Sequence, residues 1–195
     1  MALPLLSERL LVRRPTAADA GEYLALLRAS EDFHRPWFPT PPADRDPFAD
    51  EAFRGFLESD DGVRCFRFLL FARGGQAGGP AEDTLVGVVN ANEVVRGVFQ
   101  SAYLGYWLGA GHTGQGYMCE GLDLVVDHAF TPAEAGGLGL HRLEANIIPE
   151  NAASLAVVQA LGFRLEGLSP RYLKIAGEWR DHQRWALTAE DREPG

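Results

Sequence analysis

Hydrophobic and polar positions along this chain follow two periods, and the places where one gives way to the other mark its elements. From Ser101 to Gly109, the residues Tyr103, Leu104, Tyr106, Trp107 and Leu108 are aromatic or apolar on both faces, as in a central strand covered on two sides. Further on, Met118, Leu122, Val125 and Ala129 fall at i, i+4, i+7 and i+11, while Glu120, Asp123 and Asp127 share another face. That period is helical. Between strand and helix lie Gly111, Gly114 and Gly116, which open torsions and close approaches forbidden to a side chain. A strand, a glycine-rich turn and a helix N-terminus make an anion site, because unpaired N–H groups and the positive end of the helix dipole converge there.

The same reading assigns the rest of the chain. Ser7 to Arg13 is a first strand, with Leu10 and Val12 on one face and Leu11 on the other, stopped by Pro15. Ala17 to Ser30 is helical, its stripe made by Ala20, Tyr23, Leu24 and Leu27. From Glu31 to Pro47 the pattern fails, with Pro36, Pro39, Pro41, Pro42 and Pro47 punctuating it and Phe33, Trp37 and Phe38 supplying rings. Such a segment is either a surface loop with its rings tucked onto the core or a wall facing a substrate. Phe48 to Glu58 is a short helix with Phe53, Phe56 and Leu57 inward. Arg64 to Ala72 and Thr84 to Val95 are strands joined by a flexible glycine-rich hairpin loop, residues 73–83. His141 to Ile148 is a strand in which Leu143, Ala145 and Ile147 alternate against Arg142, Glu144 and Asn146. Asn151 to Leu161 is a helix ended by Gly162. Arg164 to Ile175 and Glu178 to Thr188 close as a hairpin through Ala176-Gly177. This order predicts an α/β fold of mixed α+β character, one mixed sheet with helices on both faces. No repeat or boundary interrupts residues 1–195, which are expected to form a single domain.

Composition narrows the classes of function. A hydrophobic content of 46% and a charged content of 23% are those of a soluble globular chain. Cys65 and Cys119 are the two cysteines, so no disulfide framework is implied and a reducing compartment is expected. No apolar run approaches the ~20 residues of a membrane span, and the N-terminus lacks a signal-peptide pattern. The expectation is a cytoplasmic enzyme that binds no membrane. A formal charge of −9 argues against general nucleic-acid binding.

Two familiar anion loops are excluded at the glycine turn. A nucleotide triphosphate loop wants Gly-Lys-Ser/Thr, and Gly116 is followed by Tyr117 and Met118. A dinucleotide fingerprint fails where its third glycine would fall, at Cys119. The order of residues instead resembles the pyrophosphate loop of the GNAT superfamily of N-acetyltransferases, Arg/Gln-x-x-Gly-x-Gly/Ala. Aligned on Thr113 to Met118, it finds Gly116 in place, with Thr113 for the Arg or Gln and Met118 for the small residue. Asn146-Ile-Ile-Pro-Glu-Asn151-Ala-Ala-Ser154 with Leu161-Gly162-Phe163 resembles the second GNAT signature. Gly87 to Gly97, Tyr103-Leu-Gly-Tyr106 and Gly177-Glu-Trp-Arg-Asp-His182 are similar to the ribosomal-protein alanine N-acetyltransferases of the RimJ/RimL type, RimJ above all. That subgroup carries Met at the last loop position.

The resemblance implies the GNAT fold, a sheet splayed between two central strands, and acetyl-coenzyme A as cosubstrate with no metal. Thr113, Gly114, Gln115, Gly116, Tyr117 and Met118 would form the pyrophosphate loop, and the strand at Trp107 and Leu108 would pair its backbone with the pantetheine amides. Asn146 and Asn151 would complete the coenzyme site. Asn151 also stands where a helix cap belongs, a role worth about 1 kcal/mol by itself. Ser154 is either a first-turn helix residue or the hydroxyl beside the thioester sulfur. Other GNAT enzymes place a tyrosine acid seven residues after that Asn, and Val158 stands there instead, which leaves Ser154 as proton donor to the leaving thiolate. Glu93 is either an exposed carboxylate or a general base. Cys119, on the helix face, reads as a packing residue. His112 meets either the coenzyme's phosphates or solvent, and Trp179, Arg180 and Asp181 are expected to fix the last hairpin.

The implied acceptor is a primary amine, in this type the N-terminal alanine or serine of a ribosomal protein, taken by a monomer or homodimer. Chemistry favours an α-amine over lysine. With pKa values of ~7.7–8.0 and ~10.4, the first needs about 1.4 kcal/mol of help to lose its proton at neutral pH and the second about 4.6 kcal/mol. No obvious buried acid–base pair is legible in the sequence, which fits the easier acceptor. A small-molecule amine acceptor, or a catalytically silent acyl-coenzyme A binder, are the alternatives.

Overall fold

A computed structural model of the protein describes residues 3–42, 44–75 and 79–192. The strands are β1 (Leu5–Leu6), β2 (Leu10–Arg13), β3 (Phe66–Ala72), β4 (Thr84–Val95), β5 (Ser101–Leu108), β6 (Arg142–Ile147), β7 (Arg164–Ile175) and β8 (Glu178–Thr188). The helices are α1 (Ala20–Ala29), α2 (Glu31–His34), α3 (Asp50–Glu58), α4 (Tyr117–Phe130) and α5 (Ala152–Ala160). One eight-stranded sheet runs β1-β2-β3-β4-β5-β6-β8-β7. Only β5 and β6 pair in parallel, and α4 supplies the crossover that a parallel pair requires.

The sheet is covered on both faces because its central strands are apolar on both. Along β3, Phe68 and Leu70 join one core while Leu69 and Phe71 join the other. On the first face α4 presents Met118, Leu122, Val125 and Ala129, the stripe the sequence spacing predicts, all buried. On the second face Tyr23 and Leu24 of α1 and Phe53 of α3 pack over Leu85 and Val88. Each such side chain contributes about 1.5–3 kcal/mol on full burial. Helix α4 lies so close that a Cβ on Gly121 would stand 2.3 Å from Leu70 Cδ2.

The feature that shapes the molecule is where β5 and β6 part. Their pairing runs from Ser101↔Arg142 to Leu104↔Ala145 and stops. Beyond it β5 stays with β4 as far as Leu108↔Gly87, and β6 stays with β8 as far as Ile147↔Gln183. The expected splay is therefore real, and it leaves a gap through the sheet.

Several boundaries differ from the sequence reading, two of them for a hydrogen-bonding reason. Ser7 to Arg9 is a turn between β1 and β2 and not strand, because Ser7 Oγ accepts the Leu10 N–H at 3.0 Å. The Glu31 to Pro47 segment opens with α2, a single helical turn, before becoming irregular. Strand β3 begins at Phe66 and not at Arg64, since the Asp61 carboxylate gathers the N–H groups of Val63, Arg64 and Cys65 at 2.8–2.9 Å. The Phe48 to Glu58 helix starts at Asp50. The last hairpin matches residue for residue, with Ala176 and Gly177 at φ +49° and +86° in its two-residue turn. Residues 76–78 of the expected flexible hairpin loop, and Ala43 in the proline-rich segment, lie outside the described residues.

Candidate active site

The glycine loop is built from its own side chains and from one distant arginine. Gly114 and Gly116 take φ of +72° and +82°, the left-handed region that favours glycine. Thr113, in the place of the family's Arg or Gln, donates its hydroxyl to the Ala110 carbonyl at 3.1 Å, and Gln115 Nε2 donates to the Gly111 carbonyl at 3.2 Å. Arg9 Nη1 donates to the Gln115 carbonyl at 2.9 Å, while its Nε holds the Glu120 carboxylate at 2.8 Å. Ser7 also donates to Glu120, at 2.5 Å. The turn at β2 thus braces the loop across more than a hundred residues. No local sequence signal marks Arg9 for that role. The first-turn amides of α4 lack intrahelical partners and share the dipole's positive end. Met118 brings only backbone to the loop, its side chain being buried in the core, whereas the buried Tyr117 ring lies 5.3 Å from the Arg9 guanidinium that braces the loop.

A cavity of about 530 Å³ fills the gap between β5 and β6. On the side of α5, Asn151 Oδ1 accepts the Ser154 N–H at 3.1 Å, so the expected helix cap is made. Ser154 Oγ donates to Tyr106 Oη at 2.8 Å, and that phenol donates in turn to the Ser154 carbonyl at 3.2 Å. Burial pushes the Tyr106 hydroxyl up to about 12, against the smaller opposing effect of the Ser154 bond. Tyr106 therefore stays protonated and fixes the Ser154 hydroxyl at the cavity wall. Val158, where a catalytic tyrosine was missing, is fully buried core.

Strand β5 is pinned on its other side. His34 Nε2 lies 2.8 Å from the Leu108 carbonyl. A carbonyl only accepts, so Nε2 carries the proton. The Leu108 carbonyl is thus already engaged. Ser30 Oγ accepts the Ala110 N–H at 2.9 Å. The Trp107 ring packs against Tyr23 and His34, with centroids 5.7 and 5.1 Å apart. Trp37, Phe38 and Pro39 do line the cavity, so part of the proline-rich segment is a wall and not only a surface loop, whereas Phe33 is exposed.

Of the two remaining polar candidates, Asn146 lines the cavity and Glu93 does not. Glu93, at φ +48°, turns outward beside the bulge in β4 and pairs with Arg64 at 2.6 Å, more than half exposed. The structure does not bring that carboxylate to Ser154. Among the side chains that the sequence reading left without a role, Asn90, Tyr172 and His182 line the cavity. Asn90 Oδ1 is buried with no hydrogen-bond partner. All three sit on strands whose alternation shows which residues share a face, but not which face meets the gap. In the last hairpin Asp181 accepts the Arg171 N–H at 2.7 Å and so fixes it as expected. Arg180 instead reaches Glu150 at 3.1 Å, and Trp179 is exposed. Cys119 is half-buried and unpaired in any disulfide.

Among the described residues no group of three or more His, Cys, Asp or Glu is arranged to hold a metal ion. No helix there is long and apolar enough to cross a membrane.

Residues 9–164 match the family model described as acetyltransferase (GNAT) domain. The chain is 41% identical over 113 residues to the probable N-acetyltransferase YjcK of Bacillus subtilis, a match spanning 58% of this chain and 60% of that protein. It is 34% identical over 197 residues to the [ribosomal protein uS5]-alanine N-acetyltransferase of Escherichia coli, covering 98% of this chain and 93% of that one. Among solved structures, Mycobacterium smegmatis RimJ in complex with CoA-disulfide superimposes with a TM-score of 0.79 at 30% identity, over 95% of this chain and 85% of that one.

Proposed function

The chain belongs to the GNAT acetyltransferase family, and from that premise we propose that it transfers the acetyl group of acetyl-coenzyme A to the N-terminal alanine or serine amine of a protein, a ribosomal protein being the model acceptor. The observation that carries this reading is the cavity through the sheet, with the Ser154–Tyr106 pair on the α5 side and the Trp37–Pro39 wall on the other. The full-length likeness to a uS5-alanine N-acetyltransferase supports the choice of acceptor.

The residues suit the cosubstrate. A Cβ built on Gly111 or Gly114 would meet nothing within 4 Å, so the loop's outer side is open to an anion that its amides can bind. Gly114 to Met118 would hold the pyrophosphate. The stretch of β5 beyond Leu104, unpaired toward β6, would offer its backbone to the pantetheine amides, with Asn146 and Asn151 beside it. When bound, the thioester supplies an activated acetyl carbon. A backbone N–H aimed at the developing oxyanion is worth on the order of 2.7–4 kcal/mol. Ser154 would hand a proton to the departing sulfur, and Tyr106 would keep its hydroxyl aimed. The eight strands share one sheet, which supports treating the chain as a single catalytic domain.

The test is acetyl transfer itself. Incubation with acetyl-coenzyme A and peptides beginning in Ala or Ser should release free thiol and acetylate the α-amine. Turnover of a small amine such as a polyamine, with none of any peptide, would move the protein to the small-molecule reading.

A further inference from the structure

The cavity holds few groups able to take a proton at neutral pH. Its walls are apolar, amide and hydroxyl, and among the described residues no Asp, Glu, Lys or Cys lines it. Tyr103 is a phenol, and burial raises the phenols of Tyr106 and Tyr172 above their ordinary range, so both hold their protons at neutrality. That leaves His182 of β8. Its Nδ1 lies 3.0 Å from the Arg180 carbonyl. A carbonyl only accepts, so the ring proton sits on Nδ1 and the basic lone pair on Nε2. No hydrogen bond within the described residues engages Nε2.

The ring is held in place by the hairpin around it. Pairing of β7 with β8 slips between Ser169 and Leu173, and Arg171 takes φ +51° there, its N–H fastened to Asp181. That bulge lays the Tyr172 ring 5.4 Å from the imidazole, at 57°. The other groups around it are Arg180 and Asp181 on β8, then Tyr103 on β5, Glu144 on β6 and Arg184 on β8 near Tyr172, and Glu150, which pairs with Arg180. Burial outweighs the Arg180 carbonyl bond and keeps the imidazole below its ordinary pKa, neutral and ready to accept.

We propose that His182 is the general base of the acetyl transfer, its Nε2 taking the first proton from the acceptor's α-ammonium. This rests on reading the cavity as the site of transfer to an amine. The freed nitrogen lone pair forms the new C–N bond at the acetyl carbon, and the C–S bond breaks with its electrons on sulfur. The second nitrogen proton, shed as the amide forms, balances the one the thiolate takes through Ser154. His182 then returns its proton to solvent.

The experiment is a pH–rate profile of the full chain, from pH 5.5 to 9, with acetyl-coenzyme A and an alanine-initiated peptide, for wild type, His182→Gln and His182→Ala. Thermal midpoints and calorimetric titration with coenzyme A accompany each. Loss of a general base costs on the order of 10²–10⁴-fold, so kcat/KM should fall at least about a hundredfold in both variants, with coenzyme affinity unchanged. The wild-type acid limb set by His182 should vanish, and added imidazole should restore part of the rate in His182→Ala. A His182→Gln enzyme that is folded, binds coenzyme A and keeps the wild-type rate and acid limb overturns the proposal. Should wild type ignore peptides but acetylate a small amine, the acceptor reading falls, and the same profile on that amine decides His182 independently. Turnover of neither overturns both.

Discussion

In the proposed reaction Ser154 serves the chemical step and Gly116 the coenzyme, and kinetics can tell these two parts apart. Ser154 makes its Oγ bond to a phenol that burial keeps protonated, so the serine hydroxyl is aimed and not merely solvated. Ser154→Ala removes the donor proposed for the leaving thiolate. Its kcat should drop on the order of 10²-fold, while the KM for acetyl-coenzyme A barely moves, because the group acts only as the bond breaks. Gly116→Val should do the reverse. It places a branched side chain at φ +82°, with its Cβ 3.3 Å from the Arg9 guanidinium, so coenzyme affinity in a calorimetric titration should collapse. A Ser154→Ala enzyme with wild-type kcat, where product release is shown not to limit turnover, would reduce Ser154 to a helix residue. At this scale the sequence was a good guide to the loop and to the Asn151 cap. It left Glu93 open between an exposed carboxylate and a base, because a carboxylate near a strand end says nothing of the bulge that turns it outward to Arg64.

At the scale of elements, α4 carries both the loop and the core, so the fit of α4 on β3 sets how firmly the loop is held. Gly121 permits that fit. Gly121→Ala would gain up to about 1 kcal/mol of helix propensity, yet its methyl must displace Leu70, which is fully buried. Overpacking of that kind costs about 1–3 kcal/mol. The larger effect wins, and denaturant unfolding should show Gly121→Ala less stable than wild type. A stabilised variant would mean that α4 can shift outward freely. Arg9 acts at the same scale, since it ties the β1–β2 turn to Gln115 and Glu120. Helical spacing shows that Gly121 lies near the α4 stripe, but the distance to Leu70 belongs to the packed pair.

At the scale of the whole molecule, the buried His34 and His182 couple the fold to pH. Burial pushes His34 and His182 below the ordinary histidine pKa, each against an opposing bond to a backbone carbonyl. Below about pH 6.5 the unfolded chain binds protons at these positions that the fold does not, so stability rises with pH there. It is fully present above pH 6.5 and is lost as the pH falls through the folded values. The thermal midpoint should therefore be lower at pH 5 than at pH 7.5, and His34→Gln should shrink that difference. An unchanged difference in His34→Gln would remove this histidine from the account.

The sequence by itself determined what depends on near neighbours: strand and helix periods, the glycine turn at a helix start, the Asn151 cap, the two-residue hairpin turn, and a family signature spread over the later half. These are consequences of torsion and of spacing along the chain, so they can be read without a fold. Only the tertiary structure decided what depends on residues brought together from afar. It put Arg9 under the loop, set Tyr106 against Ser154, turned Glu93 away, and brought Trp37 and His182 to one cavity. The physical reason lies in the parting of β5 and β6 after Leu104 and Ala145. Alternation along a strand says which residues share a face, but only the point where two strands separate decides which of them look into a site.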